Sequence, residues 1–301
     1  MKQITVSLAS LILALATGSA AHAQYPAGLA AYWQFNEASG STAVDSVGTN
    51  TGTINGIVSR IAGAVGQGNA LQFNNVGGQG VNVGSALSAL TGVTIEALIR
   101  PTWSAITSDY DHIFRKADGN NLMLVAFQQD GNRFGTAFPA PVGAQGPVLS
   151  FGLNIGGTYQ ELDMPLDGML GRPTLASLTD GGWHQVVASY DSLTGVKQIA
   201  VDGSVRFSAA YTPGRLIFSG GAAPAFIGSD AGGAPFTGGI DEVAFYGRAI
   251  TAGEIQSHND NKNAGRPLLA VTTVPEPSSI ALLALPVLGI IARRRIFLKE
   301  S

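Results

Sequence analysis

The chain has 301 residues, 17 Lys or Arg against 20 Asp or Glu for a formal net charge of −3, 45% hydrophobic residues and no cysteine. Without a basic surplus it lacks the electrostatic footprint of a nucleic-acid binder, and without a thiol it has neither a disulfide framework nor a cysteine nucleophile or metal ligand. Its 40 glycines are scattered without period, which excludes a collagen-like repeat and points to many tight turns.

At the start of the chain, Lys2, an apolar run from Ile4 to Ala16 and the small-x-small triplet Ala21-His22-Ala23 have the pattern of a secretory signal peptide. Residues 1–23 are therefore expected to be removed, leaving residues 24–266 as one exported domain large enough to bury a core without cross-links. Within it Val93, Ile95, Ala97 and Ile99 alternate with other residues, which predicts a strand. Gln185 to Tyr190 and Val196 to Val201 read as two strands around a turn at Asp191 to Gly195. Asp202-Gly203 between two further β-rich runs is the strongest hairpin signal, because this pair supplies the positive φ angles of a type I′ turn. Leu216 to Phe218, Ala225 to Gly228 and Gly239 to Tyr246 add short strands, and Ala249 to Asn259 reads as a helix opened by the capping box Thr251-x-x-Glu254. Many short strands at close spacing predict an all-β sandwich or barrel. A linker at 267–274 leads to Pro275-Glu276-Pro277, then an apolar run from Ile280 to Ala292 that contains Pro286 and Gly289, then Arg293-Arg294-Arg295. That run is shorter than the about 20 residues of a spanning helix, and its basic end has the character of a stop-transfer signal.

The tripeptide, the weak helix and the arginines of residues 275–301 together resemble the PEP-CTERM sorting signal of Gram-negative bacteria. The resemblance implies an exosortase as processing partner, membrane contact before processing, and a mature protein at the cell surface or in the extracellular matrix. An ordinary C-terminal anchor is the alternative.

In the exported part, Tyr32-Trp33-Gln34-Phe35-Asn36-Glu37 precedes Asp45-Ser46-Val47-Gly48-Thr49-Asn50, and Thr94-Ile95-Glu96-Ala97-Leu98-Ile99-Arg100-Pro101 follows. Later come Gly182-Trp183-His184-Gln185-Val186-Val187, Val201-Asp202-Gly203 and Gly239-Ile240-Asp241-Glu242-Val243-Ala244-Phe245-Tyr246, then Arg248-Ala249-Ile250 and Glu254-Ile255. In this order the segments resemble the LamG-like, concanavalin A-like jelly-roll domains, a sandwich of two antiparallel sheets. The match weakens from Ala105 to Thr179, above all over Phe138 to Met169, an insert that serves either binding or the scaffold.

The resemblance implies that Asp241 reaches across to the Asp45 to Thr53 loop. Asp45, Asn50 and Asp241, with carbonyls near Gly48 and Thr53, would then share a calcium ion, which takes six to eight oxygens. The alternative is that Asp45 and Asn50 make Asx-turns. Alternation along Ile240 to Phe245 puts Asp241 on the side of Val243 and Phe245, so a bulge or an edge position is expected there. Related glucanases carry Glu-x-Asp-x-x-Glu, whose chemistry needs two carboxyl groups about 5 to 5.5 Å apart. Here Glu161-Leu162-Asp163-Met164-Pro165-Leu166 ends in leucine, so the near-match reads as a coincidence in a loop and no catalysis is expected. His112, His184 and His258 lack metal-ligand spacing. Trp33 and Trp183 sit in strand patterns and are expected in the core. Trp103, at a loop, is freer to stack a sugar ring, with Asp109, Tyr110 and Asp111 close by, although the same residues would also serve to cap the sandwich. The sequence thus reads as a secreted non-catalytic module for extracellular polysaccharide or surface glycan, with a structural adhesion protein as the alternative and a glycan hydrolase behind it.

Overall fold

The computed structural model describes residues 25–269 except 65, 67, 105–109, 120, 131–145 and 220. The signal peptide, Asp109, the linker beyond Leu269 and the tail with Pro275, Glu276, Pro277 and Arg293 to Arg295 lie outside the described residues. Among those described, no helix is long and apolar enough to cross a membrane.

The chain lays down β1 (Leu29–Trp33), β2 (Thr42–Ala43), β3 (Gly52–Asn55), β4 (Ser59–Ala62), β5 (Asn69–Asn74), β6 (Gly80–Asn82) and β7 (Gly92–Pro101). The hairpins β8 (Asp111–Asp118) with β9 (Asn121–Asp130) and β10 (Gly146–Ile155) with β11 (Thr158–Pro165) follow. After a short helix α1 (Leu175–Leu178) come β12 (His184–Asp191), β13 (Val196–Val201), β14 (Ser204–Ala210), β15 (Ile217–Phe218), β16 (Ala225–Ile227), β17 (Thr237–Tyr246) and helix α2 (Ala252–Asn263). One antiparallel sheet runs β14-β13-β12-β7-β17-β5-β4 with β1 also on β17; the other runs β11-β10-β9-β8-β16-β6-β3-β2 with β15 on β10. This is the expected all-β jelly-roll sandwich.

The alternation read from β7 decides its two faces. Val93, Ile95, Ala97 and Ile99 enter the core between the sheets, with Trp33, Phe73, Phe127, Phe151 and Phe245. Leu98 faces the other way, into a second apolar cluster with Val187, Ala200, Ala244 and Tyr246. Ile250 and Ile255 roof this cluster from around α2, which is why β7 is buried on both faces. The Thr251–Glu254 capping box is present, so Thr251 stands just outside the helix and the helix runs four residues beyond the expected end. Below it, His258 Nδ1 lies 2.9 Å from Glu96 Oε2, and Gln185 Nε2 donates to Glu96 Oε1 at 2.6 Å. The packing continues past residue 266: Leu268 and Leu269 are buried in the second cluster. The hairpin at Asp202-Gly203 has φ of 46 and 79, the two positive values that the turn demands.

Candidate functional site

Strand alternation gives β8 to β11 two faces of opposite character. Ile113, Phe114, Val125, Phe127, Leu149, Phe151, Leu153, Leu162 and Met164 enter the inter-sheet core. The outer face carries His112, Arg115, Gln128, Ser150, Asn154, Tyr159, Glu161 and Asp163. The pairings His112↔Ala126, Ala126↔Ser150 and Ser150↔Asp163 set these rows side by side, with Gly152↔Glu161 and Asn154↔Tyr159 next to them.

At the β11 end, Glu161 Oε1 accepts from Gln128 Nε2 at 2.8 Å and from the Tyr159 hydroxyl at 3.0 Å. The Ser150 hydroxyl donates to Asp163 Oδ1 at 2.5 Å. Gly152 makes the Tyr159 position possible, because a Cβ there would run into the Tyr159 hydroxyl and Leu124. Burial and the charge of Glu161 push the Tyr159 phenol upward, so it remains a donor.

At the β8 end, His112 Nε2 is 3.1 Å from Arg115 Nη1 and Nδ1 is 3.2 Å from the Ala234 carbonyl. Burial and the Arg115 charge lower the His112 pKa to about 4. The ring is therefore neutral, with Nδ1–H donating to Ala234 and Nε2 accepting from Arg115. Arg115 also meets Asp230 at 3.0 Å, and the exposed ring of Tyr110 stacks on His112 with centroids 5.9 Å apart. Tyr110, Arg115, Tyr159 and Glu161 keep exposed area while Gln128, Ser150 and Asp163 are buried beneath. The result is a fixed array of carboxylate, amide, hydroxyl and guanidinium groups with an aromatic ring at its edge, suited to a polyhydroxylated ligand.

Of the sequence-read sugar platform, Tyr110 is at this face and Asp109 is outside the described residues. Asp111 is buried and accepts from the Thr237 N–H at 2.9 Å. The expectation of a free Trp103 is corrected: it is 5% exposed and stacks on Phe127 with centroids 5.4 Å apart, capping the core. Glu161 and Asp163 are also corrected, since they stand on β11 rather than in a loop, one above the other on the same face. Leu166, just past the strand, is buried.

The proposed calcium set does not fit as arranged. Asp45 Oδ1 accepts from the N–H groups of Tyr32, Val47 and Gly48, and Oδ2 accepts from both nitrogens of Asn50. Those donors occupy the lone pairs an ion would need, which is the Asx-turn chemistry weighed above. Asp241 is engaged elsewhere: Oδ2 accepts from Ala64 N at 2.8 Å and Oδ1 from Glu242 N at 2.9 Å. Among the described residues, no three His, Cys, Asp or Glu side chains gather as a metal cage.

A model of the concanavalin A-like lectin/glucanases superfamily, Laminin_G_3, matches residues 73–256. No curated protein matches the chain. Domain 4 of AbnA, an extracellular arabinanase from Geobacillus stearothermophilus solved with arabinotriose, is similar in structure. Its identity is 21% and its TM-score 0.52, over 76% of this chain and 96% of that one. A botulinum neurotoxin type C structure, described as dependent on two ganglioside molecules for cell entry, has 12% identity and a TM-score of 0.52 over 78% of this chain and 51% of that one. A Trypanosoma rangeli sialidase with sialic acid has 15% identity and a TM-score of 0.50, over 80% and 34%. At these identities the likeness is one of fold.

Proposed function

The chain belongs to the concanavalin A-like lectin/glucanase superfamily, and from that premise we propose that it is an exported, non-catalytic module that binds extracellular polysaccharide or surface glycan. The observation that carries the reading is the polar outer face of β8 to β11 with Tyr110 at its edge. Solved neighbours described with arabinotriose, gangliosides and sialic acid support a sugar partner. Leu166 supports the absence of turnover, because a hydrocarbon side chain cannot exchange a proton where the glucanase motif needs its third acid.

A glycan array with the mature domain is expected to show binding, and Tyr110→Ala to weaken it roughly tenfold, about the 1.4 kcal/mol of one ring contact. Unchanged binding would remove this face from the reading, and Glu161-dependent release of reducing sugar from a β-glucan would replace it with a hydrolase.

For its delivery, the signal-like N-terminus and the Pro275-Glu276-Pro277 tail support export followed by exosortase processing. Intact-mass analysis of the secreted protein is expected to give a start at Gln24 and an end near Pro277. Arginines 293–295 still attached would sink the sorting proposal.

A further inference from the structure

Beyond the Asn154 end of the polar face, where Phe218 of β15 pairs with Asn154 of β10, an open cleft of about 520 Å³ lies between the segment leading into β7, the start of β9 and the turn after β17. Its size suits a small ligand. Two of its lining side chains are apolar and unusually exposed, Leu90 at 59% and Phe218 at 46%. Ser88, Asn121 and Ser219, residues with hydroxyl and amide side chains, also line it. No described lining residue is ionisable. A carboxylate stands at the margin instead, where a Cβ on Gly221 would come within 2.9 Å of Asp118 Oδ2. On the opposite wall Gly247 is open: a Cβ there meets nothing within 4 Å, and its φ lies outside the left-handed region.

We propose that this cleft is a second binding site, one that takes a neutral sugar unit of an oligosaccharide chain. A pyranose or furanose ring has one C–H face and a rim of hydroxyls. The C–H face packs on Phe218 and Leu90, whose exposed area otherwise stays in water at about 25 cal/mol per Å². The rim hydroxyls find Ser88, Asn121 and Ser219, groups that both donate and accept. A uronic or sialic acid would bring its carboxylate to a wall without a cation and near Asp118, so its desolvation would be uncompensated. An apolar peptide would leave the hydroxyl and amide groups unpaired. The proposal rests on the glycan-binding reading for its ligand class, but on different residues.

The test is titration calorimetry of the mature domain with arabinotriose, xylotetraose and laminaritetraose, and with a sialylated trisaccharide as the charged probe. Phe218→Ala is expected to weaken binding of a neutral probe roughly tenfold. Gly247→Leu places its Cβ in open space and is expected to abolish that component, with a melting temperature close to wild type as the control for folding. Tyr110→Ala should leave the component intact. Binding that is lost with Tyr110→Ala yet unaffected by both cleft variants would overturn the second site and leave the first. If no neutral probe binds at all, the shared sugar reading fails, and if the sialylated probe alone titrates into the cleft, the neutral assignment is wrong.

Discussion

Glu242, in the left-handed region at φ 50, turns β17 where its neighbour changes from β5 to β1. The register with β7 shifts between Asp241 and Ala244, so the bulge that alternation demanded is present. The consequence for the two acids was not legible. Both are buried, and Glu242 Oε2 accepts from the Tyr32 hydroxyl and from Leu268 N, the latter at 2.9 Å. The partners come from positions 32 and 268, which no local pattern links to 242. Burial raises both carboxyls to about 7. A carboxyl with a folded pKa above its unfolded value holds extra protons in the native state, so its contribution falls as pH climbs from the ordinary carboxylate range to about 7. Each unit of difference corresponds to about 1.4 kcal/mol. Glu242→Gln, which mimics the protonated form, is therefore expected to gain stability relative to wild type as pH rises from 5 to 8, read as the difference in denaturation midpoints. A difference that does not change with pH would show that Glu242 titrates normally. His112 and His184, whose pKa values are shifted in opposite directions, both remain in the variant and cancel in the difference.

At the scale of elements, what was legible was local. The β13–β14 hairpin follows from Asp202-Gly203, and the start of α2 follows from Thr251 and Glu254, because turn and cap chemistry acts over four residues. The β10–β11 hairpin carried the same kind of signal. Gly156 and Gly157 have φ of 62 and 88, yet the surrounding stretch read as an irregular insert because its family match is weak. Trp103 failed for the opposite reason. Its neighbours in sequence are loop-like, and the ring it stacks on, Phe127, arrives from β9 and is itself stacked on Phe236 from the approach to β17. The candidate face shares this non-local origin: Glu161 was visible as an acid, but Gln128 reaches it only because β9 and β11 flank β10. The Asp45 loop was half legible. Its Asx-turn chemistry is local, whereas the N–H of Tyr32 that completes it lies 13 residues away.

The whole molecule closes around Lys197, a cation inside the inter-sheet core. Its Nζ donates to the Gln160 carbonyl at 2.8 Å and stands 4.6 Å from the Phe151 ring centroid, so it ties β13 of one sheet to β11 of the other. Burial lowers its pKa to about 7, against the raising influence of Glu161 and Asp163. For a lysine depressed in the folded state, the unfolded chain binds the proton more tightly between about 7 and its ordinary value. Stability from this group therefore rises with pH across that interval, the reverse of the Asp241–Glu242 pair. The two contributions meet near pH 7, so the wild-type melting temperature is expected to rise from there toward pH 9.5. Above that, the raised phenols of Tyr190 and Tyr246 begin to act in the opposite sense. Replacing buried ionic groups by well-packed hydrophobic residues of similar volume is often neutral or stabilising, because the desolvation cost of the charge is removed. Lys197→Met is accordingly expected to raise stability at pH 7 by on the order of one to a few kcal/mol and to flatten the rise above it. A variant that melts lower at pH 7 with its alkaline slope intact would mean that the carbonyl and ring contacts of Lys197 outweigh its desolvation and that the lysine stays charged in the fold.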